Sequence, residues 1–368
     1  MFSSFYSAPA LVDLSVTNRC NLHCPFCFAD SKDSSPFTEE LSVDELFKLF
    51  SDLENINVLR VALTGGEPFL RQDIMEIITK FSSFNFAKTI NTNGTLINEE
   101  IAMELSNLNI DRICISLDGS NSKIHNRIRG LGTFSKVIRG IELLKENEVP
   151  VSTLFTLNKY NVENLLECIK FNEKIGMDYM TVMMLCPTGR ASDGKLLPNK
   201  DQWYPILLKL SQMLKNDEIN LKFKIVPPNE SPIWWQLYFP LEFYDCTDFL
   251  QYWPFNENPN TNSIKREISC QAGVKACSII QNGDVYGCDF MIGNDELKAG
   301  NIRSSTFKEI WDHSSVFKQL RNLSFDQIEG KCKTCPHIWC GGGCRSAAYN
   351  YSGDIFGSDE SCYFIGGG

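Results

Sequence analysis

The chain has 368 residues, of which 43% are hydrophobic and 22% are charged, as is ordinary for a globular protein. Its formal net charge of −10 would repel a phosphate backbone, so we expect no nucleic-acid partner. No apolar run is long enough to span a bilayer, and the first residues lack the pattern of a secretory signal. We therefore expect a cytoplasmic protein with no membrane partner. In a reducing compartment, fifteen cysteines indicate metal binding rather than disulfides.

Residues 11–187 alternate short apolar runs with amphipathic segments, which is the pattern of repeated strand–helix units. Ser42 and Glu45 form a capping-box pattern that begins the first helix. Six such units in succession predict a parallel sheet that closes or curls like a barrel. In sheets of this kind, ligands bind at the C-terminal ends of the strands. The predicted strands are 11–17, 58–64, 86–91, 111–117, 151–157 and 179–185, and the predicted helices are 42–53, 73–81, 99–108, 133–147, 162–174 and 199–216.

The rest of the chain changes in character. Residues 228–262 are rich in Pro, Asn and aromatic side chains, which predicts an irregular linker. The last hundred residues contain eight cysteines, short strand-like pieces at 276–280 and 285–286, and one predicted helix near 307–311. We predict three segments: a barrel domain over 10–190, a bridging helix with an aromatic-rich linker over 191–264, and a small cysteine-rich α+β domain over 265–368.

Three cysteines follow the first predicted strand: Cys20, Cys24 and Cys27, with the spacing C-x3-C-x2-C. A four-iron cluster normally takes four cysteines, so three thiolates leave one iron open. An open coordination position is typical of a catalytic metal site, and it can bind a small chelating ligand. A zinc loop is the alternative. The position at the end of a strand favours the cluster.

These cysteines carry a resemblance to a known family. The segment Cys20-Asn-Leu-His-Cys24-Pro-Phe-Cys27, followed by Gly65-Gly66-Glu67-Pro68, resembles the radical S-adenosylmethionine (SAM) superfamily. The resemblance covers residues 10–190 and implies an α/β fold with a partial (β/α)6 barrel. It also implies that the three cysteines hold a [4Fe–4S] cluster whose fourth iron binds the methionine amino and carboxylate groups of SAM.

The same resemblance implies roles for other residues near the cluster. Phe26 would flank the adenine, and Gly65, Gly66 and Glu67 would hold the methionine amino group. Glycines let the backbone approach a ligand, and Pro68 fixes the direction in which the chain leaves.

Polar residues at further strand ends are candidates for the same site. Asn93 follows the third predicted strand, and Ser116 and Asp118 end the fourth, where polar groups could bind the ribose. Asn93 and Asp118 are equally well explained as turn residues. Arg129 precedes the next predicted helix, and we expect it to bind the SAM carboxylate.

The eight C-terminal cysteines are enough for two complete sets of four. Their spacings alone would also suit two zinc ribbons. The pattern resembles the SPASM extension of the same superfamily, which carries two auxiliary [4Fe–4S] clusters and brings the expected total to three. One gap in the pattern, between the second and third cysteines of the run, is a residue shorter than usual. The resemblance implies that Cys270, Cys277, Cys288 and Cys344 hold one auxiliary cluster and that Cys332, Cys335, Cys340 and Cys362 hold the other.

The chemistry implied by the resemblance is reductive cleavage of SAM to a 5′-deoxyadenosyl radical that removes hydrogen from a substrate. An electron donor such as a flavodoxin or a ferredoxin is an implied partner. Complete auxiliary sets favour electron transfer over direct substrate binding. Asp289 directly follows Cys288, where sulfatase-maturing relatives have a carboxylate thought to deprotonate substrate; a loop carboxylate is the alternative.

The predicted function is that of an oxidoreductase acting on a ribosomally made peptide, in which it forms a crosslink or thioether. Complete auxiliary clusters recur in such maturases. The alternatives with the same chemistry are sulfatase maturation and dehydrogenation of a small molecule such as a sugar or a tetrapyrrole. A non-enzymatic electron carrier would not need the Gly-Gly-Glu-Pro turn. Cys186, after the sixth strand, and Cys246, in the linker, are open between structural and functional thiols.

Overall fold

The computed structural model describes residues 6–32, 40–226, 235–253, 268–337 and 340–362. Among these residues, no helix has the length and apolar character needed to cross a membrane. The contact pattern divides the chain into two compact units. The first unit comprises residues 1–117, 121–154 and 271–322, and the second comprises 118–120, 155–270 and 323–368.

Ten strands are described; the first six follow the alternating pattern that the sequence predicts, and the seventh was not predicted. In the first unit β1 to β5 pair in parallel, each with the next, and β5 ends in the second unit. In the second unit β6 pairs in parallel with β7. The strands are β1 Leu11–Ser15, β2 Arg60–Thr64, β3 Ala87–Thr92, β4 Arg112–Ser116, β5 Val151–Leu157, β6 Tyr179–Met184, β7 Lys222–Val226, β8 Ala276–Ile279, β9 Asp284–Tyr286 and β10 Lys298–Asn301.

The longer helices, such as α1 (Val43–Asn55), α2 (Ile74–Ser82) and α5 (Thr133–Glu146), each bury an apolar face. In the first helix the predicted capping box is present: the Ser42 side chain accepts the N–H of Glu45, and the Glu45 carboxylate accepts the N–H of Ser42. The helices are α1 Val43–Asn55, α2 Ile74–Ser82, α3 Glu99–Ser106, α4 Ser122–Arg129, α5 Thr133–Glu146, α6 Leu165–Lys174, α7 Lys200–Lys215, α8 Trp235–Phe243, α9 Phe307–His313, α10 Ser315–Arg321, α11 Lys331–Thr334 and α12 Arg345–Ser352.

Parallel pairing brings the C-terminal ends of the first strands to one edge of the sheet. Leu14 of β1 lies opposite Leu63 of β2, and both are fully buried. Ile90 of β3 and Ile113 of β4 are likewise fully buried neighbours. This apolar ladder places the loops after β1, β2 and β3 side by side, and the parallel sheet confirms the predicted α/β class.

The first unit also contains three C-terminal strands: β8 and β9 match the predicted strand-like pieces at 276–280 and 285–286, whereas β10 was not predicted. β8 pairs in parallel with β1, opposite residues Leu11 to Leu14, and β9 and β10 follow in antiparallel order. The sheet order in this unit is therefore β10-β9-β8-β1-β2-β3-β4-β5. Residues 271–322 accordingly pack with the first strands, while residues 323–362 belong to the second unit. The predicted domain limits at 190 and 264 stay a prediction.

The predicted irregular linker is partly ordered. Residues 227–234 and 254–267 lie outside the described part of the chain. Between them, α8 and a 3-10 helix at Thr247–Tyr252 form in the second unit. Trp203 of α7 is fully buried and donates its Nε1–H to the carbonyl of Leu237 at 2.7 Å. α8 was not predicted because its apolar residues do not recur with an amphipathic helical period.

Candidate active site and cluster-binding cysteines

The Gly-Gly-Glu turn after β2 lies directly against the backbone that leads into the first cysteine. Gly66 donates its N–H to the carbonyl of Thr17 at 2.8 Å, and Glu67 donates to the carbonyl of Arg19 at 2.7 Å. A Cβ at Gly65 would lie 2.3 Å from the Thr17 oxygen, and a Cβ at Gly66 would lie 2.0 Å from the Arg19 oxygen. Only glycine permits this approach, so the two glycines are needed to seat the cysteine loop.

The Glu67 carboxylate joins the ends of β2 and β3. Its Oε1 accepts the N–H of Phe69 at 3.2 Å and the hydroxyl of Thr92 at 2.7 Å, and its Oε2 accepts the N–H of Asn93 at 2.7 Å. Burial raises the pKa of Glu67 to about 6, although these three hydrogen bonds favour the charged form. Pro68 follows as the first residue of a short 3-10 helix. The carboxylate is therefore part of the scaffold, with acceptor capacity left on Oε2.

A side-chain relay ties the end of β3 to the cysteine loop. Asn93 donates from Nδ2 to Oδ1 of Asn21 at 2.8 Å, and Asn21 donates from its own Nδ2 to the Thr95 hydroxyl at 2.9 Å. Asn21 lies between the first two cysteines of the loop. Asn93 therefore contacts both Glu67 and the cysteine loop, which places it at the predicted site.

The three loop cysteines lie close enough together to influence one another's charge. Burial, together with smaller contributions from nearby Glu67, Cys24 and Cys27, raises the pKa of Cys20 to about 12. A hydrogen bond from the Leu22 N–H to Cys20 Sγ, at 3.4 Å, opposes this effect. Neighbouring thiols that would repel each other's negative charge suit a metal cluster, because a bound metal deprotonates its thiol ligands. The donor set therefore fits the predicted cluster.

Arg129 reaches this loop from the last turn of α4. Arg129 precedes α5, as predicted, and is also the last residue of α4, a helix that was not predicted. Its Nη1 donates to Cys24 Sγ at 3.6 Å, and its guanidinium carbon lies 5.1 Å from the centroid of the Phe26 ring. Its charge also lowers the pKa of Glu67. Cysteine loop, Gly-Gly-Glu turn and arginine thus form one contiguous group, here called the cysteine-loop site.

Two of the predicted ribose-binding residues have scaffold contacts of their own. Ser116 is the last residue of β4. Asp118, in the second unit, is fully buried: its Oδ1 accepts the Thr156 N–H at 2.7 Å, and its carbonyl accepts from Asn161 Nδ2 at 3.2 Å. Asp118 thus fixes the loop after β5. Its role and that of Ser116 in binding ribose stay predictions.

Asp289 lies near the cysteine loop within the first unit. Its Oδ1 accepts the hydroxyl of Ser278 at 2.6 Å. The residue is partly exposed, but its carboxyl group is withdrawn from solvent, and this burial raises the pKa of Asp289 to about 6. Phe290, the next residue, packs edge-on against Phe28, which follows Cys27, with ring centroids 5.9 Å apart.

The predicted first auxiliary set has members in both units, and each is buried. In the first unit Cys277 lies in β8 opposite Val12, and burial raises its pKa well above the usual value. Cys288 lies between β9 and Asp289. In the second unit, Cys270 and Cys344 are 7% and 4% exposed. Whether the four share one cluster stays a prediction.

The predicted second auxiliary set lies wholly in the second unit. Burial, together with smaller contributions from the nearby Cys332 and Cys335 thiols, raises the pKa of Cys340 to about 11. Cys335, which follows α11, donates its N–H to the carbonyl of Cys332 at 3.4 Å. Cys362 is 9% exposed and donates its N–H to the carbonyl of Asp359 at 3.2 Å. The shortened gap between Cys335 and Cys340 is compatible with three neighbouring thiols.

The sulfur of Cys344, like those of Cys20 and Cys24, accepts hydrogen bonds. Cys344 caps the N-terminus of α12, where its Sγ accepts the N–H of Ala347 at 3.4 Å. Its own N–H donates to Asp359 Oδ2 at 2.7 Å. A hydrogen bond from the Cys186 side chain is the main reason why the pKa of Cys344 lies below its usual value.

Within the described residues, no group of three or more His, Cys, Asp and Glu side chains converges as the ligands of a single metal ion would. The thiolates of a four-iron cluster each bind a different iron and are spread more widely. Three residues with contacts in these sites were not predicted to have them: Asn21, Thr92 and Cys186. Asn21 and Thr92 lie beside predicted strands or motifs, but the residues that they contact are distant in sequence.

Two family models match the chain. Residues 14–172 match the radical SAM superfamily, and residues 270–336 match SPASM, an iron–sulfur cluster-binding domain. The chain is 28% identical to an AdoMet-dependent heme synthase of Methanosarcina barkeri, over 97% of each chain. It is also 28% identical to the mycofactocin maturase MftC of Mycolicibacterium smegmatis, over 98% of this chain and 84% of the maturase.

A solved structure shows the same fold. SuiB of Streptococcus suis, bound to S-adenosylmethionine, superposes with a TM-score of 0.77 at 18% identity, over 98% of this chain and 78% of SuiB. The parallel α/β sheet, the cysteine-loop site at its strand ends and the two matched domains lead to one conclusion. This chain contains a radical SAM domain followed by a C-terminal SPASM domain.

Proposed function

We propose that the protein is an oxidoreductase that cleaves SAM at a [4Fe–4S] cluster held by Cys20, Cys24 and Cys27. The observation that carries this proposal is the contiguity of the cysteine-loop site, in which Arg129 contacts Cys24 and Phe26 while Glu67 lies beside Cys20. When bound, the cluster supplies the electron that cleaves the sulfonium of SAM to a 5′-deoxyadenosyl radical, which removes a hydrogen atom from the substrate.

The residues of the site have distinct roles in binding SAM. Arg129 has a planar fork of donors that suits the methionine carboxylate, and its contact with Phe26 holds the guanidinium in place. Glu67 offers Oε2 to the methionine ammonium while its other hydrogen bonds keep the strand ends together. Phe26 supports the adenine. Asn93 positions both the Glu67 carboxylate and the cysteine loop.

Asp289 is the residue we propose as the base that completes the oxidation. A substrate radical must lose an electron and usually a proton to become an oxidised product. Asp289 lies next to Cys288, a proposed ligand of an auxiliary cluster, and its neighbour Phe290 packs on the cysteine loop through Phe28. The proposal therefore has two auxiliary clusters as electron acceptors, three clusters in all, and a flavodoxin or ferredoxin as the electron donor.

For the substrate we propose a ribosomally made peptide, in which the enzyme forms a crosslink or thioether. The similarity to a mycofactocin maturase along nearly the whole chain supports this class. A tetrapyrrole is the second candidate, because the similarity to a heme synthase extends over 97% of both chains. Both substrates use the same site and differ in what docks beside it.

The test is anaerobic turnover of the reconstituted full chain with SAM and reductant. Short peptides encoded beside the gene and a panel of iron tetrapyrroles are supplied in parallel, with Cys24→Ala as the control. Formation of 5′-deoxyadenosine together with loss of a pair of hydrogen atoms from a peptide supports the peptide proposal. Loss of carboxyl groups from a tetrapyrrole overturns it in favour of the second candidate. If the variant and the wild type make equal amounts of nucleoside, the cluster assignment is wrong.

A further inference from the structure

Two cysteines of the second unit, Cys186 and Cys344, lie in contact, and the proposed function gives a role only to Cys344. Cys186 follows β6 by two residues and is 3% exposed; Cys344 caps α12 and is 4% exposed. The Cys186 side chain hydrogen-bonds to the Cys344 thiol. The Cys344 sulfur also accepts the N–H of Ala347 at 3.4 Å. A thiolate bound to iron has no proton of its own, so with a cluster in place Cys186 is the donor in the contact between the two thiols.

The segment that bears Cys186 is held firmly against α12. Asn350 of α12 donates from Nδ2 to the carbonyl of Pro187 at 3.3 Å, and Thr188 donates its N–H to the carbonyl of Cys186 at 2.8 Å. The first bond connects the turn 186–188 to α12, the helix that Cys344 caps, and the second keeps the turn closed.

The same turn holds a second protic group. The hydroxyl oxygen of Thr188 is buried and makes no hydrogen bond within the described part of the chain. A buried hydroxyl without a partner is unfavourable, so such a group calls for an acceptor. The sulfurs of an iron–sulfur cluster are acceptors of this kind, and Thr188 is two residues from the thiol that contacts a proposed cluster ligand.

We propose that Cys186 donates a hydrogen bond to the Cys344 thiolate of an auxiliary cluster and thereby raises the reduction potential of that cluster. The inference rests on the proposed function, in which Cys344 is a cluster ligand. Reduction adds negative charge to the cluster, and a hydrogen-bond donor on a ligand sulfur stabilises the reduced form. Cys186 is a positioning residue that acts through Cys344, and Thr188 adds a donor from the same turn. A higher potential makes this cluster a better acceptor for the electron that leaves the substrate radical.

The test is an equilibrium redox titration of the reconstituted full chain, followed by electron paramagnetic resonance, with iron and sulfide determined for each variant. Cys186→Ala removes the donor, whereas Cys186→Ser keeps one. We expect Cys186→Ala to lower the potential of one auxiliary cluster without loss of iron, and Cys186→Ser to restore it to near or above the wild-type value. Thr188→Val should lower the same potential by a smaller amount. Cys168→Ala, at a fully buried thiol in α6, is the control for removal of an unrelated cysteine and should leave every potential unchanged.

Three results would overturn the inference. One is an unchanged potential in a Cys186→Ala protein that retains full iron content. Another is loss of a whole cluster in that variant, because Cys186 would then be a ligand itself. The third is an equal shift in Cys168→Ala. Cys344→Ala separates this inference from the proposed function: if all three clusters assemble unaltered without Cys344, the ligand assignment fails, whatever Cys186 does.

Discussion

Substitution of Glu67 has two opposing effects on folding stability: it removes hydrogen bonds, and it removes a buried charge. The Glu67 carboxylate accepts three hydrogen bonds from Phe69, Thr92 and Asn93, and it is fully buried. Glu67→Ala strands three buried donors, and we expect it to cost about 3–5 kcal/mol. Glu67→Gln keeps the two bonds to one oxygen but turns an amide N–H toward the Asn93 N–H, which costs about 1–3 kcal/mol.

The glutamine variant recovers most of that loss because it carries no charge. Burial raises the pKa of Glu67 from 4.5 to about 6, so folding disfavours the charged form by about 2 kcal/mol at neutral pH. We therefore expect Glu67→Gln to be within about 1 kcal/mol of wild type. The charge lost in that variant still matters for the ligand, and SAM affinity should fall about tenfold to a hundredfold.

The assay is denaturant unfolding of the cluster-free, reduced protein, paired with calorimetric SAM titration of the reconstituted one. The exposed Glu99, at the start of α3, supplies matched Glu99→Ala and Glu99→Gln controls, which should change stability by less than about 1 kcal/mol. If Glu67→Ala costs no more than Glu99→Ala, the carboxylate does not join the strand ends. If Glu67→Gln loses as much stability as Glu67→Ala, then removal of the buried charge does not offset the lost hydrogen bond, and our reasoning is wrong.

Two further predictions concern arginines of the first unit. Arg303 pairs with Glu45 at 2.7 Å, and both side chains are more than a third exposed. Because solvent screens such a pair, Arg303→Ala should lower the free energy of unfolding by only about 0.5–1 kcal/mol. Because this pairing lowers the pKa of Glu45 to about 2, the difference from wild type should be full above about pH 4.5 and shrink toward pH 2; a difference that persists in acid contradicts it. Arg129→Lys removes the planar contact with Phe26 and should weaken SAM binding about tenfold by calorimetry. Arg127→Lys, at an exposed neighbour, is the control, and equal effects would refute the assignment.

Local patterns were enough to predict most elements of the first unit. The apolar runs of β1 to β5 and the capping box at Ser42 depend on neighbours in sequence, and the structure has them within a few residues of the predicted limits. α4 escaped prediction because only His125 and Ile128 of its eight residues are buried, which leaves no apolar stripe. Its cap was visible, however: Asn121 accepts the N–H of Ile124, a typical helix start.

Contacts between distant segments could not be read from local pattern. β8 is four residues long and pairs with β1, more than 260 positions earlier in the chain. Cys186 and Cys344 are likewise far apart in sequence, and the residues around either one give no indication of the contact. The cysteine spacings identified which thiols bind clusters in related proteins, but spacing carries no information about the donors that surround each sulfur. Those donors come from tertiary packing, and they set the electronic properties of a cluster.

The Gly-Gly pair shows why a motif and its physical cause must be separated. The sequence analysis assigned Gly65 and Gly66 to ligand approach, yet the atoms that a Cβ would strike are the carbonyl oxygens of Thr17 and Arg19. The glycines are thus required before any ligand binds, because they let the turn hydrogen-bond to the backbone just ahead of Cys20. A substitution there would displace the cysteine loop and the turn together. Loss of SAM binding in such a variant would therefore not show that a glycine touches SAM, whereas the stability-neutral Glu67→Gln variant isolates the ligand contact from the scaffold.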